Sequence, residues 1–295
     1  LKPPSKIKFS KMHHIGNDFI VVDFRGHETD FYKTFSPGFV RKICDRNFGV
    51  GADGVVGLLS DGSDGLVMEI INSDGSFAMM CGNGLACLAL FAAERGAAPG
   101  RSFPVDTRSG MRDVSVSAIK NGRARVAVGM GRPETAAEKI PVKTGMIEGA
   151  RKGSPVIGKK AVIAGKEFRV NLVSMGNPHC VIFSEKPPGR REFEKYGPLI
   201  ENADLFPDKT NVEFAALRGD GSIDVLVWER GAGPTKACGT GACAVAYSSY
   251  LNGFTGEKVV INLPGGSVAA EIKNGPAINL RCEPVFVYEG EMSLF

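Results

Sequence analysis

The sequence predicts an α+β fold of two pseudo-symmetric domains. Each is expected to be a curled, mostly antiparallel sheet or barrel around a central helix, with the active site in the cleft between them. Three observations carry this expectation. The phrase Cys-Gly-x-Gly occurs twice, as Cys81-Gly82-Asn83-Gly84 and Cys238-Gly239-Thr240-Gly241, each time between a polar loop and an Ala-rich apolar stretch. Gly16-Asn17 has a counterpart in Gly176-Asn177, 160 positions on, close to the 157 that separate the two cysteines, and Asn72 and Glu229 each stand nine residues before their cysteine. Many short strand-like runs are accompanied by only two principal helical stretches, a pattern of helices segregated against antiparallel sheets. A repeat this long that occurs only twice is no solenoid, so two similar domains facing each other are expected.

In chain order, strands are expected at 7–9 and 19–24 around the turn Gly16-Asn17-Asp18. Ser36-Pro37 is a helix start signal and predicts a short helix over 39–47. Apolar strands at 55–59 and 66–72 flank a turn at 61–65. A helix runs from Gly82 to about Arg95, stopped by Gly96 and Pro99. A meander over 105–109, 111–119 and 124–128 follows, with Asn121-Gly122 as its hairpin signal. The stretch 129–133 marks the crossing into the second half, and the chain from there to Gly158 is loop-rich. A hairpin over 161–173 turns at Gly165, a strand lies at 181–183, and 193–201 is helical with a break at Gly197-Pro198. Strands at 211–217 and 223–228 lead to the second Cys-Gly-x-Gly helix, which ends at Asn252-Gly253. Closing strands are expected at 259–263, 267–272 and 277–288. The domains are accordingly drawn as 1–132, to which the last strand at about 281–295 returns, and 133–280.

The two repeated phrases carry chemistry. A cysteine at a helix N-terminus faces unpaired N–H groups and the positive end of the helix dipole. The glycines after it let backbone close around a carboxylate without side-chain obstruction. A thiol so placed has a lowered pKa, and its thiolate is the reactive form. Two such sites suggest an acid–base pair acting on opposite faces of one carbon, sharing a single negative charge because two adjacent thiolates repel. The N–H groups of Gly82, Asn83, Gly239 and Thr240 are then the candidates to hold the reacting carboxylate and the charge that develops on it.

Composition excludes other classes. At 295 residues, 43% hydrophobic and 23% charged, the chain is ordinary globular protein, while its 38 glycines are nearly double the usual ~7%. A net charge of +4 without basic runs interleaved with aromatics argues against nucleic acid. No apolar run nears the roughly 18 residues of a membrane span, and the leading residues have no apolar signal core. Seven cysteines without a C-x-x-C pair argue against a disulfide framework and a zinc ribbon and for a reducing compartment. Cys44, Cys87, Cys180, Cys243 and Cys282 read as small buried hydrophobes, and Trp228 and the phenylalanines as core. His13, His14 and His27 lack ligand spacing, so no metal is expected. Gly239-x-Gly241-x-x-Ala244 formally matches a dinucleotide fingerprint, but no strand runs directly into it.

The stretches KMHHIGNDFIVVD, NSDGSFAMMCGNG, VSMGNPHC, NVEF and ERGAGPTKACGTGAC together resemble the diaminopimelate epimerase family, from about Lys11 to the last residues. The resemblance implies a cofactor-independent epimerase of lysine and peptidoglycan precursor biosynthesis that interconverts L,L- and meso-diaminopimelate with Cys81 and Cys238 as its acid and base. It implies substrate-binding roles for Asn17, Asn72, Asn177 and Asn211, a grip on the distal amino and carboxylate groups by Glu229 and Arg230, and an influence of His179 and Glu229 on the thiol pKa values. An Arg fork suits a carboxylate on physical grounds as well. Four positions depart from the family pattern: His14 where a small residue is usual, Phe77 where an acid is frequent, Ala86 where Arg is common, and Gly54 where some members carry a substrate-contacting Gln. The expected partner is an amino-acid substrate, with neither nucleic acid nor membrane, and a homodimer is allowed. The expected compartment is the cytoplasm, or the plastid stroma in a plant or alga. Two alternatives stand beside this reading: another cofactor-independent amino-acid racemase or isomerase of the same fold, and a nucleotide-binding oxidoreductase or non-catalytic binding protein.

Overall fold

The computed structural model describes residues 6–27, 29–60, 62, 65–151, 153–273 and 275–293. Asp61, Ser63 and Asp64 of the expected turn, the first five residues, and residues 294–295 of the expected last strand lie outside the described residues. The chain forms two compact units, residues 1–129 with 281–295, and residues 130–280.

In the first unit, β1 (Lys6–His14) pairs antiparallel with β2 (Asn17–Asp23), and their hairpin turns on Ile15 and Gly16, with φ of 44° and 82°. Two consecutive left-handed residues match the twist of the flanking strands, but a β-branched Ile at positive φ is strained. Next come α1 (Phe31–Thr34), a helical turn without a counterpart in the sequence reading, and α2 (Pro37–Cys44). The Ser36 side chain caps α2 by accepting the Phe39 N–H. The strand β3 (Gly54–Ser60) runs parallel to β2 and antiparallel to β4 (Leu66–Asn72). Helix α3 (Gly82–Glu94) follows, then β5 (Ser102–Asp106), parallel to β4, and the meander of β6 (Arg112–Lys120) and β7 (Arg123–Gly131), which turns on Asn121 and Gly122, both at positive φ.

The second unit repeats this order. After two short 3-10 turns come β8 (Lys159–Ile163), β9 (Lys166–Ser174) and β10 (Pro178–Ser184). Helix α4 (Arg190–Glu201) leads to β11 (Asn211–Leu217), parallel to β10, and β12 (Ile223–Glu229), antiparallel to β11. A short β13 (Gly233–Thr235) precedes α5 (Gly239–Leu251), then β14 (Lys258–Leu263), parallel to β12, with β15 (Gly266–Ile272) and β16 (Ile278–Cys282). The last strand, β17 (Val285–Ser293), returns to the first unit, pairs with β1 from Lys6↔Ser293 to His13↔Val285, and meets β7 at Val285↔Arg123. The first unit is thereby closed into a barrel.

Each principal helix is the axis of its unit. Residues 82–92 of α3 are all buried, and α5 is buried from Gly241 to Ala246. A helix that is apolar around its whole circumference must be enclosed on all sides, which the surrounding strands achieve. Further cores lie against α1, α2 and α4. Phe24, Phe31, Phe35 and Val40 pack under α1 and α2, and Phe193, Ile200, Leu205 and Phe206 pack around α4.

Three expectations are corrected. Helix α4 runs unbroken through Gly197-Pro198. A Cβ on Gly197 would lie 2.6 Å from the Trp228 ring, so the helix is clamped there by tertiary contact that outweighs the lost backbone bond. The single strand expected at 277–288 is two, divided at Glu283-Pro284, where proline has no N–H to give to a ladder. Phe48, Phe77 and Phe254, expected in the core, are 94%, 47% and 47% exposed, and Trp228 is only half-buried.

Candidate active site

In the first unit, the β-extended backbone of Cys81 (φ −137°, ψ 118°) caps α3. The first helical bond runs from the Leu85 N–H to the Cys81 carbonyl at 2.8 Å, so the N–H groups of Gly82 and Asn83 have no partner within the helix. The Cys81 Sγ lies 3.7 Å from Asn17 Oδ1, which also accepts the Asn83 amide at 3.1 Å. The other end of Asn17 donates to Asp53 at 2.8 Å, and Asn83 Oδ1 meets His14 Nδ1 at 2.8 Å. Behind them, Asp18 is paired with Lys11 at 2.5 Å and Arg46 at 2.6 Å, and these cations hold its carboxyl down at about 2 against the cost of burial. Burial keeps the His14 imidazole below its ordinary pKa. Asn17, Cys81, Gly82 and Asn83 thus come together, while Asn72, at the end of β4, turns its amide to the Ser76 hydroxyl at 3.0 Å.

In the second unit, Cys238 (φ −133°, ψ 111°) caps α5 in the same conformation. Its sulfur accepts the Gly241 N–H at 3.3 Å and lies 3.5 Å from the Thr240 hydroxyl. That hydroxyl accepts from Asn177 at 3.4 Å, and Asn177 Oδ1 meets His179 Nε2 at 3.1 Å. His179 Nδ1 is 2.7 Å from Glu213, with both side chains fully buried. Glu229 takes the Thr235 hydroxyl at 2.6 Å and has the Cys238 thiol as a further donor. Burial pushes the Glu229 carboxyl up. Burial, joined by the negative charges of Glu229 and Glu213, pushes the Cys238 thiol well above its ordinary value, so it stays protonated despite its two donors. This reverses the lowered pKa expected of a helix-capping thiol, because desolvation and two carboxylates outweigh the dipole.

Asn211 and Arg230 are joined through backbone. Asn211 donates to the Pro178 carbonyl at 2.7 Å and accepts the Arg230 N–H at 3.0 Å, fixing the turn after β12 to the start of β10. The exposed Arg230 guanidinium rests on the Asp208 carbonyl at 3.1 Å.

Four carboxylates or supports were not singled out from sequence: Asp53, Glu213, Glu201 and Thr235. Glu201, buried in α4, accepts the Trp228 indole N–H and the Gly231 N–H, both at 2.8 Å, and so brackets Glu229 and Arg230. A lone acid inside the apolar strand NVEFAAL was the available signal for Glu213, since a buried charge needs a partner. Among the departures, a Cβ on Gly54 would lie 2.7 Å from the Ile71 carbonyl, so backbone approach excludes a larger residue there. Ala86 is fully buried on α3, and the exposed Phe77 ring carries the Arg108 guanidinium 5.2 Å from its centroid. The cysteines read as apolar, Cys44, Cys87, Cys180, Cys243 and Cys282, are all buried. Among the described residues, no helix is long and apolar enough to cross a membrane.

Known proteins resemble this chain along nearly its whole length. A family model described as diaminopimelate epimerase matches residues 9–136 and 171–292. A diaminopimelate epimerase of Desulfitobacterium hafniense is 40% identical over 281 residues, covering 95% of this chain and 96% of the relative. One of Carboxydothermus hydrogenoformans is 42% identical over 288 residues, covering 98% and 100%. Among solved structures, a hydroxyproline epimerase from Agrobacterium vitis with bound trans-4-hydroxy-L-proline superposes with a TM-score of 0.70 at 13% identity, over 100% of this chain and 94% of that one. A predicted epimerase from Pseudomonas aeruginosa gives 0.64 at 15% identity, over 97% and 99%. These structural likenesses speak to the fold, and the sequence matches decide the rest: this chain belongs to the diaminopimelate epimerase family.

Proposed function

We infer that the chain interconverts L,L- and meso-diaminopimelate by two-base proton transfer at the α-carbon, with Cys81 and Cys238 as the two bases. The observation that carries this reading is the repeated cap: two cysteines in the same backbone conformation, each opening a buried Gly-rich helix of its own unit. In each direction a thiolate takes the α-proton, the C–H bond breaks, and an S–H bond forms. The electron pair left on carbon spreads into the carboxylate, which the helix-opening N–H groups of Gly82, Asn83, Gly239 and Thr240 stabilise. The other thiol then gives its proton to the opposite face and is left as the thiolate. One negative charge is conserved, and the roles exchange in the reverse reaction. In the direction that Cys238 serves as the acid it enters as the thiol, the form that burial and its carboxylate neighbours favour.

Asn17, Asn72, Asn177 and Asn211 bind the substrate in this reading, Glu229 and Arg230 grip its distal amino and carboxylate groups, and His179 with Glu229 adjusts the thiols. The required chemistry is proton transfer alone, so no cofactor is called for. Seven cysteines without a C-x-x-C pair suit a compartment that keeps thiols reduced, the cytoplasm or a plastid stroma. A homodimer is compatible with the reading, and sedimentation would test it.

The deciding experiment is an assay in deuterated water, without added cofactor, of L,L-diaminopimelate against a panel of free amino acids. Epimerisation of diaminopimelate with one solvent deuterium at the α-carbon is expected. Turnover of a different amino acid in its place, or product without solvent label, would overturn the assignment.

A further inference from the structure

The amides beside Cys81 belong to a hydrogen-bond chain whose sense is fixed at one end. A carboxylate can only accept. Asp53 Oδ2 takes the Asn17 Nδ2–H at 2.8 Å and the Asp18 N–H at 3.0 Å, and Asp53 Oδ1 takes Arg46 at 2.7 Å. With its NH2 group committed there, Asn17 must turn its carbonyl oxygen the other way, towards Asn83 Nδ2 at 3.1 Å and the Cys81 sulfur at 3.7 Å. Asn83, its own NH2 group committed, turns Oδ1 to His14 Nδ1 at 2.8 Å, so His14 carries a proton on that nitrogen. Reversing any single link sets donor against donor or oxygen against oxygen. His14 and Asn83 are 1% and 3% exposed, so water cannot substitute freely at that end.

We propose that Asp53 and His14 are positioning residues of the epimerase reaction, the two ends of a directed chain that keeps the Asn17 carbonyl on Cys81 and thereby makes the thiol a hydrogen-bond donor. The proposal rests on Cys81 being catalytic. The chain decides which face of Asn17 the sulfur meets: a carbonyl favours the thiol, whereas an NH2 group would favour the thiolate. The titratable groups near the thiol, Cys87 and Cys282, and those beyond Asn17, Lys11, Asp18 and Arg46, are present in every variant compared below.

The test reads the pH dependence of Cys81 alkylation by iodoacetamide in a Cys238→Ser background, where the five other cysteines are buried. Asp53→Ala removes charge and acceptor and is expected to lower the alkylation midpoint by about one unit. Asp53→Asn removes the charge but keeps an acceptor, and is expected to move it by less than about a third of that. Equal shifts, or none, overturn the proposal. Should Asp53→Ala fail to fold, His14 decides in the chain with Cys238 intact. His14→Gln can still donate and should keep kcat/KM within about threefold, while His14→Phe keeps a ring without a donor and should lose about tenfold. The opposite order, or equal loss, overturns it. Full epimerase activity in Cys81→Ala would defeat the functional reading itself. A normal enzyme whose alkylation midpoint ignores both Asp53 variants would defeat only the chain.

Discussion

The two units place the same cap in different surroundings. Beside Cys81, an accept-only carboxylate that is 40% exposed, Asp53, sets the sense of two amides and leaves a carbonyl facing the sulfur. Beside Cys238, Asn177 turns its Oδ1 to His179, which is fully buried against Glu213, and its NH2 group to the Thr240 hydroxyl, which lies 3.5 Å from the sulfur. The two units thus share the backbone of the cap and differ in the groups that surround its sulfur. A symmetric fold therefore does not imply symmetric thiols: the proton affinity of each is set by the groups one and two hydrogen bonds behind it.

The comparison can be broken most directly at the sulfurs. Cys81→Ala and Cys238→Ala should each reduce epimerisation by at least about a thousandfold, measured as solvent deuterium incorporation, with circular dichroism unchanged. One variant retaining activity would make the repeat structural only. The buried pair offers the next largest contrast. Glu213→Ala leaves an unpaired buried group and should cost about 3 kcal/mol in urea unfolding, whereas Asp53→Ala, losing a half-exposed network, should cost about 1 kcal/mol or less. Similar losses would mean that the two networks are equally buried in practice.

Acid should act on the first unit through Asp18. Its folded pKa, about 2, is depressed below the ordinary 3.8, so its contribution is present above pH 4 and is lost as pH falls from about 4 to 2. Roughly 2 kcal/mol should disappear in that window, and the loss should be absent in Asp18→Asn. In the second unit, Glu229→Gln removes a charge that raises the Cys238 thiol, and should lower its alkylation midpoint by about one unit in a Cys81→Ser background. The smallest effect lies at the first hairpin. Ile15 occupies a left-handed conformation, while in the second unit's counterpart turn only Gly176 does so, so Ile15→Asn should stabilise by about 1 kcal/mol, read as a rise in Tm.

Much of this was legible in the sequence. The caps, the two Gly-Asn turns and both axial helices follow from local chemistry, because a helix start, a left-handed Gly and an apolar run are decided by neighbouring residues. Ser36, Asn121-Gly122 and Gly253 punctuate the chain where their side chains predict. Gly197-Pro198 misled because its packing on Trp228 is a tertiary contact between distant elements. The supporting carboxylates were illegible for the same reason: Asp53 and Glu201 become informative only through partners 36 and 27 residues away. The raised Cys238 thiol shows a further limit, since sequence displays the helix dipole but not the burial that overrides it.

The pairing of β17 with β1 has a consequence for biogenesis. The strand that closes the first barrel is synthesised after the whole second unit, so the first unit, although it leads the chain, cannot complete its hydrogen-bond ring until residues 285–293 have emerged. The second unit, continuous over 130–280, meets no such delay. On the ribosome the later half is therefore expected to mature first, with the earlier half held as an open sheet whose Lys6–His14 edge needs shielding until its partner arrives.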